Sequence, residues 1–373
     1  MPLLREVVGQ LDQWYPPRTA ESWDAVGLVL GDPDAEVRKV LFAVDPTQVV
    51  ADEARDWGAD LVVVHHPLFL KAVHGVPATT PKGRTLHTLA AAGCALLTAH
   101  TNADGASDGV SEAFARRLGL SEIRPLIPGP GPSLDSLVVY VPAAEADRIR
   151  QVLADAGAGS LGDYDHCSFS AGGEGRFRPL EGADPTIGRV GSVEVVEEVR
   201  IEVVLPRALR SRLVAAMLAA HPYEEPAYHV VATADPGLGS TGTARVGTVA
   251  PTTLGDFARQ VAERLPETAH GVRVAGDRDR PVRTVAVAGG AGDFLLDRLA
   301  GEAVDVYVTS DLRHHPASEF IEKAGPALID VAHWAAEWTW LPAVQARVEA
   351  TWGATVETRV STICTDPWTF RVS

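Results

Sequence analysis

Cysteine is scarce: the three residues of this type, Cys94, Cys167 and Cys364, lie scattered in a chain of 373 and form no CxxC pair. That scarcity excludes a disulfide framework and a cysteine-built zinc cluster, and predicts reduced thiols in a cytoplasmic protein. No run of about 18 apolar residues occurs, so no helical membrane span is expected. Arg5, Glu6 and Asp12 interrupt the apolar residues of the first stretch, which argues against a signal-peptide core there. Positive charge is in deficit as well: 33 lysines and arginines stand against 49 aspartates and glutamates, a net charge of -16. Such a chain has no electrostatic attraction for bulk nucleic acid or an acidic membrane surface, although a local basic pocket could hold a nucleotide. Some of the excess carboxylates are candidates for binding cations.

What is present is a globular composition, 46% hydrophobic, in a chain too long for one ordinary core, so two or three units are expected. Leu3, Leu4, Val7, Val8 and Leu11 fall at helical spacing within 2–14. KVLFAV (39–44), LVVVHHP (61–67) and CALLTAH (94–100) read as strands, with helices over 47–57, 83–92 and 108–118. Strands alternating with helices of this length predict βαβ units in a mainly parallel sheet. PLIPGPGPS (125–133) reads as a boundary.

Beyond it come a strand at 136–142, a helix at 143–156, glycine-rich loops with short hairpins over 157–192, a strand at 196–206, a helix at 207–219 and a strand at 227–233. Two β-α-β halves in about 100 residues predict a ferredoxin-like α+β module. DPGLGSTGTA (235–244) reads as a second linker. The opening rhythm then returns, with helices at 253–264, 293–300, 316–324 and 335–350 and strands at 283–290, 304–311 and 327–333. Two flanking segments of one style around a different middle imply an insertion into an α/β domain.

His65 and His66 close the strand that ends at Pro67. Neighbouring side chains of an extended strand point to opposite faces, an arrangement awkward for one ion and suited to two. The site-building end of a parallel α/β sheet lies beyond the C-terminal strand ends, and two further strands present similar groups there. CALLTAH runs into Asp104, while ALIDVAH ends at His333 with Glu337 one helical turn on. These imidazoles and carboxylates, spread over about 270 residues, suit divalent first-row metals.

SWDAVGLVLGD (22–32), VVVHHPLFLK (62–71), HTNADGASDGV (100–110), VAVAGGAGDFL (285–295), YVTSDLRHH (307–315) and DVAHWAAEW (330–338) together resemble the NIF3-like dinuclear metal family, also called GTP cyclohydrolase 1 type 2. The resemblance implies two α/β lobes around a dinuclear site, with 1–128 and 240–373 as the two parts of the metal-binding domain. GAGSLGDYDHCSFSAGGEGRF (157–177), EGADPTIG (181–188) and HPYEEPAY (221–228) resemble the PII/CutA-like module of long family members, which implies a module over 133–234. Carried across motif by motif, the metal ligands are His65, His66, Asp104, His333 and Glu337, the glutamate bridging the ions. His100, His315 and Asp311 match polar positions lining the cavity, and His100 and His315 are the candidate proton shuttles. Two positions depart from the family pattern: Ala25 replaces the asparagine of WDN, and Ser310 replaces the glycine of TG(D/E).

The other features read blandly. GGAGDF (289–294) lacks the full dinucleotide spacing and a P-loop lysine, so it is expected to be a plain strand-to-helix turn. His221, Glu224 and Glu225 of HPYEEP are expected to shape a loop or a subunit contact. Trp334, Trp338 and Trp340 fall near helical spacing and are assigned to packing. His74, His87, His270 and Cys167 show no partner pattern.

A two-metal site is suited to hydrolysis with a metal-activated water. The resemblance implies a nucleotide or nucleobase substrate, with ring opening of GTP the concrete example, and a ring-shaped homohexamer. The alternative is a non-enzymatic, metal-loaded scaffold or regulatory protein that binds partners. Histidine with carboxylate admits zinc, iron, manganese, cobalt or nickel, and the resemblance implies two such divalent ions per chain.

Overall fold

The computed structural model describes residues 1–372 apart from 132, 235–237 and 324. Its strands, in chain order, begin with β1 (Gly27–Leu30), β2 (Lys39–Ala43), β3 (Leu61–Val64), β4 (Ala95–Thr98) and β5 (Ser121–Pro130). They continue with β6 (Leu134–Pro142), β7 (Phe169–Phe177), β8 (Glu194–Pro206), β9 (Tyr228–Ala232) and β10 (Leu238–Thr253). The last are β11 (Val272–Ala275), β12 (Pro281–Ala291), β13 (Val306–Ser310), β14 (Ala327–Val331) and β15 (Glu357–Val360). Two compact units result, Met1–Gly129 with Ser240–Ser373, and Pro130–Gly239.

The larger unit holds two sheets. The first runs β1-β4-β3-β2-β15, parallel except for β1. All four residues of β3 and of β4 are buried, as a central parallel strand covered on both faces requires. The second runs β11-β14-β13-β12-β10-β5, with β14, β13 and β12 parallel and β11 and β10 antiparallel to their neighbours. The C-terminal residues complete the first sheet: β15 pairs with β2, and Trp340, Leu341 and Val344 share a core with Val40, Phe42, Leu61 and Leu97. Those bonds and that core tie the two sequence segments into one body.

The smaller unit is a four-stranded antiparallel sheet in the order β7-β8-β6-β9. Helices Ala146–Asp155 and Arg210–Ala220 follow β6 and β8, giving the β-α-β-β-α-β succession of a ferredoxin-like module. Ile149, Leu153, Leu213 and Met217 of the helices pack on Leu137, Val139 and Ile201 of the sheet.

Several elements differ from the sequence expectations. The boundary at 125–133 is mostly strand: β5 runs to Pro130 at an edge of the second sheet, where its prolines need no ladder partner on the open side. The linker at 235–244 is strand from Leu238 on, residues 235–237 lying outside the described set. The glycine-rich 157–192 contains the nine-residue strand β7, bonded along its length to β8. The helix expected at 335–350 is two helices, His333–Trp338 and Trp340–Trp352. That expected at 316–324 spans His314–Glu322, with residue 324 outside the described set. Among the described residues no helix is long and apolar enough to cross a membrane.

Candidate metal centre

The C-terminal ends of the parallel strands in the larger unit carry one cluster of titratable side chains. His65 and His66 follow β3 directly, and helix Thr101–Asp104 begins beyond His100, three residues after β4. His333 and Glu337 lie on the helix that leaves β14. Strands need helices to return the chain, so each C-terminal end opens into a turn whose side chains face outward from the sheet. Here the turns of two sheets face one another.

Every imidazole of the cluster has its Nδ1 held by an acceptor. His65 donates to the Ala99 carbonyl at 2.9 Å, His66 to Asp45 Oδ1 at 2.7 Å, His100 to Asp24 Oδ1 at 2.8 Å and His333 to Asp311 Oδ2 at 2.7 Å. None of these acceptors can donate, so each Nδ1 carries a proton, and in the neutral ring it is Nε2 that holds the lone pair. That is the tautomer a metal-ligating histidine needs, fixed by the kind of outer partner that orients such ligands.

The free nitrogens converge on Glu337, whose carboxylate is nearly sealed from solvent at 3% side-chain exposure. Its Oε1 lies 3.3 Å from His65 Nε2 and 2.8 Å from His333 Nε2, and its Oε2 lies 3.1 Å from His66 Nε2. His65 Nε2 is also 3.5 Å from Asp104 Oδ1. Asp104 as a residue is partly exposed, yet that oxygen is enclosed and has no hydrogen-bond partner; the same holds for His65 Nε2 and Glu337 Oε2. Buried polar atoms are rarely left unsatisfied. Three such atoms in one cluster, together with His66 and His333 Nε2 facing each other at 3.3 Å, form a mixed nitrogen and oxygen donor set that a divalent cation would satisfy. Ring nitrogens of His65, His66 and His100, and ligand atoms of His66, His333 and Glu337, form two groups close enough to share an ion.

The electrostatics agree. Burial opposes charge on His66 and His333, but Glu337, joined by Asp45 at His66 and by Asp311 at His333, outweighs it and raises the two to about 10 and about 11. Burial likewise opposes charge on Glu337, yet the surrounding imidazoles hold it well below the usual carboxylate range. Burial pushes Asp104 up to about 6. The carboxylates thus draw protons onto the imidazoles, and an ion binding here must displace them.

The expected divergence of His65 and His66 does not hold. The ladder stops at Val64, and the chain turns so that both rings, 5.0 Å apart between centroids, lean toward Glu337. His100 joins them, its ring 5.0 Å from that of His65. His315 is exposed at the start of its helix, edge-on to His314, with no described polar contact to the cluster. Asp311 adopts a left-handed backbone (φ 58) to reach His333, a strain of the kind that accumulates at functional sites. Ser310, in place of the family glycine, is buried with its hydroxyl unpartnered.

Other contributors had no periodic signal. Asp45 holds His66 and is itself bonded by Thr365 from the C-terminal segment. Arg245, fully buried, donates to the carbonyls of Gly105 and Ala106 at 3.2 and 2.6 Å, clamping the turn that follows Asp104. Gly290, assigned to a plain turn, lies beneath the site: a Cβ there would sit 2.6 Å from Glu337 Oε1. Asp330 accepts from His270 at 2.9 Å and from Leu312 N at 3.0 Å, so His270 has a partner after all. In the smaller unit both nitrogens of His221 are engaged, by Tyr140 O and Tyr223 N, leaving no ligand atom.

Known proteins share this chain's sequence and fold. The Duf34/NIF3 (NGG1p interacting factor 3) family profile matches residues 2–367. A protein of Mycobacterium tuberculosis named GTP cyclohydrolase 1 type 2 homolog is 50% identical over 367 residues, 98% of this chain and 96% of its own. Its Bacillus subtilis namesake is 36% identical over 335 residues, 89% and 88% of the two chains. The crystal structure of a Bacillus cereus protein related to NIF3 superposes with a TM-score of 0.88 at 35% identity, covering 99% of both chains. This chain therefore belongs to the Duf34/NIF3 family.

Proposed function

We propose that the protein is a dinuclear metal-dependent hydrolase acting on a nucleotide or nucleobase, in the manner the name GTP cyclohydrolase 1 type 2 describes. The observation that carries this reading is the gathering of His65, His66 and His333 Nε2 about the Glu337 carboxylate, with Asp104 Oδ1 against His65 and with His65 Nε2, Asp104 Oδ1 and Glu337 Oε2 all buried and unpartnered. Glu337 sorts the ligands, with His65 and His333 about Oε1, His66 about Oε2, and Asp104 completing the set. Two divalent ions held there, of zinc, iron, manganese, cobalt or nickel, supply Lewis acidity that acidifies water and polarises the electrophile.

The chain's own part is positioning and proton transfer. Asp45, Asp311 and the Ala99 carbonyl hold the three ligand imidazoles in one tautomer. His100 is the proton acceptor: Asp24 fixes Nδ1–H, and burial together with the neighbouring His65 lowers its pKa, so Nε2 is free to take a proton near neutral pH. Of the two candidate shuttles it is the one in the cluster.

The accompanying readings are a PII/CutA-like module over 133–234 between the two parts of the metal-binding domain, 1–128 and 240–373, a homohexamer, and a cytoplasmic location. Elemental analysis of purified protein, with GTP turnover measured on the same sample, tests the proposal. Two metal atoms per chain, lost in Glu337→Ala, together with turnover abolished in His100→Ala, support it. Metal-replete protein that turns over no nucleotide, with partner binding unaffected by His66→Ala, would favour the scaffold reading instead.

A further inference from the structure

Trp23 is a large apolar side chain left 56% exposed in the larger unit, and it is not on a free loop. The backbone around it is pinned to the cluster. Glu21 N donates to Thr101 Oγ1 at 2.9 Å, and Asp24 N donates to Glu21 O at 3.0 Å. The fully buried Asp24 carboxylate accepts from Thr101 N at 3.0 Å, from Ala25 N at 2.7 Å and from His100 Nδ1 at 2.8 Å. One carboxylate thus orients His100 and fixes the residue next to Trp23. The indole lies 5.9 Å from the His100 ring, edge to face at 78°. His100 in turn lies 5.0 and 5.4 Å from His65 and His66. The indole therefore stands one ring away from the candidate metal ligands.

An exposed indole held by an ordered backbone loses little conformational entropy when a flat partner covers it. Its contact with His100 uses at most one face, which leaves a face open. Base–aromatic stacking is a general way to hold a nucleobase, because every base presents a π-face whatever its hydrogen-bonding edge. We propose that Trp23 is a stacking platform for the aromatic heterocycle of the substrate, a purine or similarly flat ring, and holds that ring beside His100. This rests on the nucleotide or nucleobase reading above and sharpens it: the recognised part is the ring, not the sugar or phosphate. Trp23 makes a binding contact and takes no proton.

The test is calorimetric titration of zinc-loaded protein with guanosine and, separately, with ribose 5-phosphate, comparing wild type, Trp23→Phe, Trp23→Ala and, as a control exposed indole, Trp368→Ala. Trp23→Ala is expected to weaken guanosine binding about 10- to 100-fold, the range of one lost base stack. Trp23→Phe should recover most of it, ribose 5-phosphate should be insensitive to all three changes, and Trp368→Ala should match wild type. Unchanged metal content and circular dichroism in Trp23→Ala would show that the site and fold are intact. Wild-type guanosine affinity in Trp23→Ala overturns the proposal, as does absence of guanosine binding by wild type. A changed molecular mass with unchanged base binding also overturns it, placing the indole in a contact between copies. The two readings fail separately. Trp23-dependent guanosine binding without turnover leaves stacking and removes hydrolysis, whereas turnover with a Trp23-independent Kd and KM does the reverse.

Discussion

Replacing Gly290 by alanine isolates the geometric demand of the candidate metal centre. Gly290 has φ 69 in β12, and a Cβ built on it meets Glu337 Oε1 at 2.6 Å and His333 Nε2 at 3.4 Å. Two costs follow. The left-handed backbone disfavours any L side chain by about 1 kcal/mol. The methyl must also drive Oε1 from 2.6 Å to beyond 3.0 Å, a retreat of about 0.4 Å where metal–ligand distances tolerate about 0.2 Å. Gly58 supplies the control, because its φ of 75 carries the same backbone cost while a Cβ there meets nothing within 4 Å. In thermal unfolding of the metal-free protein Gly58→Ala should lose stability equal to the backbone cost, and Gly290→Ala at least that much. Only Gly290→Ala should also lose metal affinity, by about 10- to 100-fold, the scale seen when ligand support is disturbed. Competition titration against a zinc indicator reads the difference. Equal affinity in the two variants would refute the argument that Glu337 needs this space.

Three further outcomes follow from the same geometry. Asp45→Asn leaves an acceptor for His66 but removes the charge behind it, and should weaken zinc binding about 10- to 100-fold by the same titration, with little change in fold. Arg245→Ala strips buried donors from the Gly105, Ala106, Gly242 and Ala244 carbonyls; the loss should be about 3–5 kcal/mol in urea unfolding, the scale of breaking a buried charged contact. Chelator-treated protein should lose stability as pH rises. His66 and His333 are raised from 6.5 to about 10 and about 11 in the folded state, so their contribution is complete below about 6.5 and disappears as pH passes through those values. Zinc affinity should climb over the same interval, because the ion displaces those protons. Melting curves from pH 6 to 10, with chelator and with zinc, would show opposite trends; parallel curves would contradict the electrostatic account.

Much of this was legible in the chain itself. The apolar runs at 61–64 and 95–98 are buried strands, the helical spacing of Leu4, Val7 and Leu11 faces the core, and the order of strand and helix read over 136–233 matches the smaller unit in every element but β7. His65, His66, His333 and Glu337 could be singled out because each lies where a strand or its following helix must turn. Short edge strands carried no such signal: β1, β11 and β15 have four residues each with mixed burial, too few for a period to emerge.

Composition, local period and the residues at strand ends are properties of neighbouring positions, so the sequence alone determined the element order, the absence of a long apolar helix, and which imidazoles and carboxylates deserved notice. Which of them meet was decided by tertiary structure. Asp45 reaches His66 and Asp24 reaches His100 across 21 and 76 residues, and Thr365 reaches Asp45 across 320. Those partners are set by strand order and by β15 closing on β2, which no local pattern records. The turn after Val64 and the space above Gly290 likewise exist only once two sheets face each other. Their strand ends bring Glu337 among three imidazoles whose outward nitrogens are already committed, leaving the inner ones for a cation.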